Sequence, residues 1–366
     1  MNYPKIALVA LLLASGLQAQ AAYIFTDLGT LGGSNSSAQA INSSGSIVGF
    51  SDTRGGTHAT LWRNGATIDL GTLGGKSSQA FAINNAGLVV GGSSIQGSDY
   101  SHATIWNGTA AKDLGLLGGT GSRALAINNS GQVVGVSFTQ GSAYSRPILW
   151  NGSTPTDLNV ANIYTGYANG INDSGQVIGL SASQNHGPLR ATSWTGTATT
   201  DLGTLGGSEG YANAINNSGQ IVGGSSTNGG NYSHATLWNG LTTTDLGTLG
   251  GTYSQAMGIN NVGQIVGVST TNGNNSSHAT LWNGTVATDL NSFLDEGLVD
   301  AGWVLSFALG INDNGWIVGQ AVNERLGIYH AYLLSETSVP EPGSYSLVLL
   351  GLGAMAVVLR SRKPAR

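Results

Sequence analysis

The chain has 366 residues, of which 58 are glycine, 8% are charged and none is cysteine. The lack of cysteine excludes a disulfide framework, a thiolate nucleophile and cysteine-ligated zinc. Residues 23–338 carry 8 basic and 17 acidic side chains, a net charge of −9. That excess of negative charge argues against nucleic acid as a partner, because it repels a phosphate backbone.

The first 21 residues have the order of a secretory signal peptide. Lys5 precedes an apolar run over residues 6–14, and the small residues Ala19 and Ala21 form a cleavage site. This apolar run is too short for a membrane span, which needs about 20 residues. We therefore predict export through the general secretion machinery and cleavage after Ala21. An uncleaved anchor is the alternative.

Residues 22–336 contain seven repeats of about 44 residues, each with three marks. The first mark is an Asp-Leu pair, which begins at Asp27, Asp69, Asp113, Asp157, Asp201, Asp245 and Asp289. The second, I-N-x-x-G, begins 14 residues after the Asp, or 22 residues after it in the last repeat, which has an eight-residue insertion. The third, usually HATLW, begins at His58, His102, Arg146, Arg190, His234, His278 and His330.

Each repeat reads as four short strands separated by the Asn/Gly turns that favour β-hairpins. Four strands in about 44 residues is the period of a propeller blade. We predict an all-β, seven-bladed β-propeller in which the GTLGG segments carry the chain between blades; a stacked β-solenoid is the alternative. The last repeat lacks its fourth strand, and residues 23–28 form a spare strand. We therefore expect this N-terminal strand to close the ring beside residues 330–334, whereas a solenoid would need caps.

The repeat resembles the HAF family of extracellular bacterial repeats, through HATLW at residues 234–238 and DLGTLGG at residues 245–251. The resemblance covers residues 23–335 and implies an extracellular location without any particular activity. Repeats three and four depart from the pattern, since Arg146-Pro147 and Arg190-Ala191 replace His-Ala.

The repeated polar residues favour structural roles. The Asp residues occur once per repeat without neighbouring carboxylates, so we interpret them as turn acceptors and not as calcium ligands. The His residues cannot all approach one ion, so we expect a structural hydrogen bond from each. We predict no metal and no cofactor. Six tryptophans at one register position are expected to pack between blades: Trp62, Trp106, Trp150, Trp194, Trp238 and Trp282.

Two aromatic features lie outside this pattern. The insertion of repeat seven combines Trp303 with Asp295, Glu296 and Asp300, which is compatible with a glycosidase carboxylate pair or with ordinary solvated acids. Trp316 also lies off register. The loop before the third strand carries a tyrosine two residues before the His or Arg in three repeats. These tyrosines are candidates for stacking on sugar rings, the alternative being packing on their own blade: Tyr100, Tyr144 and Tyr232.

The C-terminal residues 337–366 have the parts of a membrane sorting tail. Pro340, Glu341 and Pro342 precede an apolar stretch over residues 343–359, predicted as a single transmembrane helix, and a basic end follows at Arg360, Arg362 and Lys363. Residues 339–366 closely resemble the PEP-CTERM sorting signal. The resemblance implies recognition and cleavage by an exosortase in the inner membrane. A permanent single-pass anchor is the alternative.

These elements predict an exported, exosortase-sorted surface or matrix protein without catalytic activity. Its propeller is expected to be a binding or structural module for exopolysaccharide or surface proteins, anchored in the inner membrane only transiently. The alternative is a secreted glycan hydrolase, with its site in the propeller channel or in the insertion of repeat seven.

Overall fold

A computed structural model describes residues 23–138, 144–158, 163–183, 187–196, 198–228, 232–240, 242–274 and 276–336. The chain divides into a propeller unit, Ile24–Ser335, and a second unit that contains the two chain ends. In the second unit, only Tyr23 and Glu336 belong to the described residues. The Tyr23 hydroxyl donates to Glu336 Oε1 at 3.3 Å. Burial, together with the Glu336 carboxylate, raises the pKa of Tyr23 to about 12.

The described residues form seven antiparallel four-stranded sheets, and they confirm the predicted seven-bladed all-β propeller. The first strand in the chain is β1 (Tyr23–Asp27). Blade 1 contains β2 (Ser36–Ile41), β3 (Ile47–Asp52), β4 (Thr57–Arg63) and β5 (Ala66–Asp69). Blade 2 contains β6 (Gly74–Ile83), β7 (Leu88–Ile95), β8 (Ser101–Asn107) and β9 (Ala110–Asp113). Blade 3 contains β10 (Gly121–Ile127), β11 (Val133–Phe138), β12 (Ser145–Asn151) and β13 (Thr154–Asp157).

The remaining blades repeat this order. Blade 4 contains β14 (Ile163–Ile171), β15 (Val177–Ser183), β16 (Arg190–Thr195) and β17 (Ala198–Asp201). Blade 5 contains β18 (Gly206–Ile215), β19 (Ile221–Thr227), β20 (Ser233–Asn239) and β21 (Thr242–Asp245). Blade 6 contains β22 (Gly250–Ile259), β23 (Ile265–Thr271), β24 (Ser277–Asn283) and β25 (Val286–Asp289). After a 3₁₀ turn (Leu290–Phe293) and the helix α1 (Glu296–Asp300), blade 7 contains β26 (Trp303–Ile311), β27 (Ile317–Asn323) and β28 (Ile328–Glu336).

Blade 7 is completed by the N-terminal strand, as the sequence predicts. Its strand order is β1-β28-β27-β26, so β1 occupies the fourth position that repeat seven lacks. The Leu28 N–H donates to Ala331 O at 2.9 Å, and the rings of Phe25 and Tyr332 stack with their centroids 6.2 Å apart. The ring is therefore closed by strand pairing and by buried aromatic contact.

Glycine turns set the hairpins. In blade 5, Gly219 in the turn between the first two strands has φ +79°, and Gly240 in the turn between the last two has φ +60°. Residues with a Cβ rarely adopt this left-handed backbone conformation, which explains the recurrence of glycine at both turns.

The core lies between blades. Trp106 of blade 2 is buried in a cluster with Val48 and Ala59 of blade 1 and with Ala80 and Val89 of its own blade. The six register tryptophans are each at most 3% exposed, which confirms the predicted packing between blades. In blade 7, Leu334 takes the register position and is fully buried.

The GTLGG segments differ in one respect from the predicted connections. Their last two glycines begin the innermost strand in blades 2, 5 and 6, starting at Gly74, Gly206 and Gly250. The strand extends because Leu73, Leu205 and Leu249 each form a parallel bridge with the end of the second strand. The crossing between blades is thus shorter than the motif.

Candidate ligand-binding surface

The antiparallel order of each blade places its loops on two faces. The I-N-x-x-G turns and the outer N-G turns lie at one end of the strands, which we call the Asn face. The GTLGG segments, the His-Asp pairs and the loop between the second and third strands lie at the other end, which we call the loop face. Candidate residues on both faces can therefore be compared blade by blade.

The Asn face carries a closed ring of hydrogen bonds that the sequence analysis missed. In the described structure, the Asn side chain of each I-N-x-x-G turn donates through Nδ2 to the backbone carbonyl of the equivalent Asn in the next blade, at 3.0–3.3 Å. The last bond runs from Asn312 back to Asn42. The ring members are buried, and they are Asn42, Asn84, Asn128, Asn172, Asn216, Asn260 and Asn312. The sequence signal for this ring is the Asn that recurs in every I-N-x-x-G turn, because a turn alone would accept other residues at that position.

A second set of polar side chains lies outside the Asn ring, around a depression of about 190 Å³. Its members are Ser43, Asn85, Asn129, Asp173, Asn217, Asn261 and Asp313. Burial acts against the charged form of Asp173, but hydrogen bonds from the Asn129 backbone, Asn129 Nδ2 and Asn217 Nδ2 outweigh it and lower the pKa of this carboxyl. Their side-chain oxygens accept hydrogen bonds from the backbone N–H groups and side chains of neighbouring members of the set, so we assign them to ring closure.

On the loop face, the repeated His and Asp residues form pairs. His234 Nδ1 lies 2.9 Å from Asp245 Oδ2, and the other oxygen of Asp245 accepts from the Gly247 N–H at 2.8 Å. Both predicted roles, the structural hydrogen bond of His and the turn-acceptor role of Asp, therefore occur in one pair. Equivalent contacts of 2.6–2.8 Å join His58–Asp69, His102–Asp113, His278–Asp289 and His330–Asp27.

Arginine replaces histidine in this pair in two blades. Arg146 contacts Asp157 at 3.3 Å, and Arg190 contacts Asp201 at 2.9 Å. The replacement of histidine by arginine, which also donates a hydrogen bond to a carboxylate, was the signal in the sequence that could have revealed the pairing. Among the described residues, no group of three His, Cys, Asp or Glu side chains could hold a metal ion.

The variant His234→Arg is expected to change the free energy of unfolding by less than about 0.5 kcal/mol, because Arg pairs with Asp at the same position in blades 3 and 4. Asp245→Ala should cost about 1 kcal/mol, since it removes the partner of His234 and the acceptor of the Gly247 N–H. Urea titration of both variants measures the difference. Equal destabilisation by the two changes would contradict this role of the pair.

The insertion of repeat seven is built as a structural element. The Asp295 side chain caps α1 by accepting from the Leu298 N–H at 2.9 Å. The Trp303 ring lies 5.4 Å from the His330 ring and 6.3 Å from that of Phe25, at the closure of the propeller. Glu296 and Asp300 are exposed on α1, which fits ordinary solvated acids. Trp316 is half-buried against the turn that contains Gly45.

The three loop tyrosines do not share one environment. Tyr100 and Tyr232 are 60% and 54% exposed, as expected for residues that contact a ligand. Tyr144 is half-buried and so presents less of its ring to a ligand than the other two tyrosines.

A polar groove of about 300 Å³ lies beside Tyr100. Both neighbours of this tyrosine, Asp99 and Ser101, line the groove. Its other lining includes Ser77, Gln79 and Arg123. Tyr100 itself does not line the groove, but its exposed ring belongs to the same loop. The groove offers hydroxyl, amide, carboxylate and guanidinium groups, which are the groups that bind sugars.

A profile of the PEP-CTERM protein-sorting motif matches residues 338–363. The motif indicates an exported protein that an exosortase processes after transient anchoring in the membrane. Among the described residues, none of the helices is both long and apolar enough to cross a membrane. The predicted signal-peptide residues Ala19 and Ala21, the apolar stretch over residues 343–359 and the sorting residues lie outside the described residues; the sorting residues are Pro340, Glu341, Pro342, Arg360, Arg362 and Lys363.

Solved structures with a similar fold include TolB from Acinetobacter baumannii, with 12% sequence identity, a TM-score of 0.46 and coverage of 79% of each chain. A gluconolactonase from Xanthomonas campestris has 9% identity and a TM-score of 0.42, covering 86% of this chain and 90% of that one. No curated protein matches the chain.

Proposed function

We propose that this protein is a non-catalytic component of the cell surface or extracellular matrix, and that its loop face binds exopolysaccharide. The observation that carries the proposal is the exposed Tyr100 beside a groove lined by hydroxyl, amide and charged side chains. A tyrosine ring stacks on the apolar face of a pyranose, and the surrounding polar groups can bond its hydroxyls.

A polymer is the ligand that such a surface suits. A single aromatic contact contributes only about 0.5–1.5 kcal/mol beyond its buried area, so one site would bind weakly. Tyr232, which is also exposed, provides a second contact in blade 5. Two sites that engage one polymer chain can gain about 10²–10⁴-fold over a single site. We therefore expect binding to long glycans and little affinity for monosaccharides.

The double variant Tyr100→Ala/Tyr232→Ala is expected to lower the affinity for polysaccharide by about 100-fold, because it removes both stacking contacts and the gain from linking them. Each single variant should lose less. Affinity electrophoresis against a panel of bacterial exopolysaccharides measures the effect. The melting temperature should remain unchanged, because both rings are exposed.

Tyr329→Ala is the matched control. Tyr329 is 39% exposed on the loop face of blade 7, and no groove residue adjoins it in the described structure. The control should bind the polysaccharide as the parent protein does. Equal binding by the double variant and the parent would refute the proposal, as would equal losses in the control and the double variant.

A further inference from the structure

Blades 2 and 5 share a combination of residues that the other five repeats lack in sequence. The fourth residue of the IVGxS segment is glycine in these two blades, at Gly92 and Gly224. The same two blades carry the exposed Tyr100 and Tyr232. The other repeats have larger side chains at the glycine position, namely Phe50, Val136, Leu180, Val268 and Gln320.

The two glycines keep equivalent spaces open beside the tyrosine loops. A Cβ added to Gly92 would collide with Ser101 Oγ and lie 3.5 Å from Arg123 Cγ of the next blade. A Cβ added to Gly224 would lie 2.8 Å from Ser233 Oγ and 3.3 Å from Gln255 Cγ of the next blade. The two glycines thus have neighbours at matching positions, a serine before the third strand and a residue of the next blade's first strand.

The two sites differ in charge. Arg123 reaches toward the site of blade 2, whereas the neutral Gln255 takes its place beside blade 5. Arg123 is exposed and makes no ion pair with any described residue. Among the residues that line the groove of blade 2, Arg123 provides a positive charge and Asp99 a negative one.

We propose that the groove of blade 2 binds the carboxylate of a uronic acid residue through Arg123, and that the site of blade 5 binds a neutral sugar. The planar guanidinium can bond both oxygens of a carboxylate, a geometry that an amide such as Gln255 cannot reproduce. Asp99, which lines the same groove, repels a carboxylate and so directs it to the Arg123 side. This inference rests on the proposed glycan-binding function.

The test compares two probes, polygalacturonate and the same polymer with its carboxyl groups reduced to galactose. The full-length protein should bind polygalacturonate more tightly than the reduced polymer. Arg123→Gln copies the chemistry of blade 5, so it should weaken polygalacturonate binding by about tenfold or more and leave binding of the reduced polymer unchanged. Equal binding of polygalacturonate by Arg123→Gln and the parent overturns the inference.

Two further variants separate the alternatives. Gln255→Arg should strengthen polygalacturonate binding, because it gives blade 5 the charge of blade 2. Gly92→Val should weaken binding of both polymers by filling the groove, and it should fold because Val268 occupies this position in blade 6. If the parent binds both polymers equally and Arg123→Gln has no effect, only the uronate inference fails. If the parent binds neither polymer, the proposed function fails with it.

Discussion

Deleting residues 22–28 is expected to destabilise the whole propeller by more than about 4 kcal/mol, a large share of the roughly 5–15 kcal/mol that holds a typical domain folded. The deletion removes β1, leaves the outer edge of β28 unpaired and exposes the ring of Tyr332, which is otherwise fully buried. Differential scanning calorimetry should show one transition at a much lower temperature.

The control for this deletion changes the same strand without breaking it. Ile24 is 52% exposed, so Ile24→Thr should alter the free energy of unfolding by less than about 0.5 kcal/mol. A deletion variant as stable as the parent would mean that β1 does not close the ring.

The second large effect is expected for Asn216→Ala, which should cost about 2–4 kcal/mol. The Asn216 side chain accepts from the Ser218 and Gln220 N–H groups and donates to Asn260 O at 3.1 Å. Its loss leaves buried donors and a carbonyl without partners in both its own turn and the next blade. Chemical denaturation of the variant measures the cost.

Asn217→Ala provides the comparison at the neighbouring position. Asn217 is exposed, so its loss should cost less than about 1 kcal/mol. It also removes a hydrogen bond to Asp173, so the pKa of that carboxyl should move upward toward its ordinary value. If Asn216→Ala proves no more costly than Asn217→Ala, the inner ring is not a major stabilising element.

The architecture could be predicted because each of its features depends on residues that are close together in the sequence. The spacing of the Asp-Leu pairs determines the number of blades, and the glycines of the turns mark the hairpins. The closure followed from one observation, that residues 23–28 match a strand that the last repeat lacks. These signals need no knowledge of which side chains meet in space.

The features that were missed depend on contacts between repeats. Asn216 in its turn looks like a local turn former, and only the neighbouring blade shows that it also bonds Asn260. The partial burial of Tyr144 likewise could not be read from the sequence, because Tyr144 has the same position relative to the third strand as the exposed Tyr100 and Tyr232. The occurrence of Gly92 and Tyr100 in the same blade becomes apparent only when the strands and loops of all repeats are compared at matched positions.

The closure by β1 also has a consequence for how the chain folds after export. With the signal peptide that the sequence predicts, β1 is expected to cross the membrane first, whereas its partner β28 follows only about 300 residues later. Hairpins within each blade join neighbouring segments and can form early, but the contact between β1 and β28 spans almost the whole propeller sequence. Ring closure is therefore expected to be the last and slowest step. Until then, β1 is unpaired. It has only five residues and ends in the charged Asp27, so it offers other chains a short edge that is poorly suited to strand pairing.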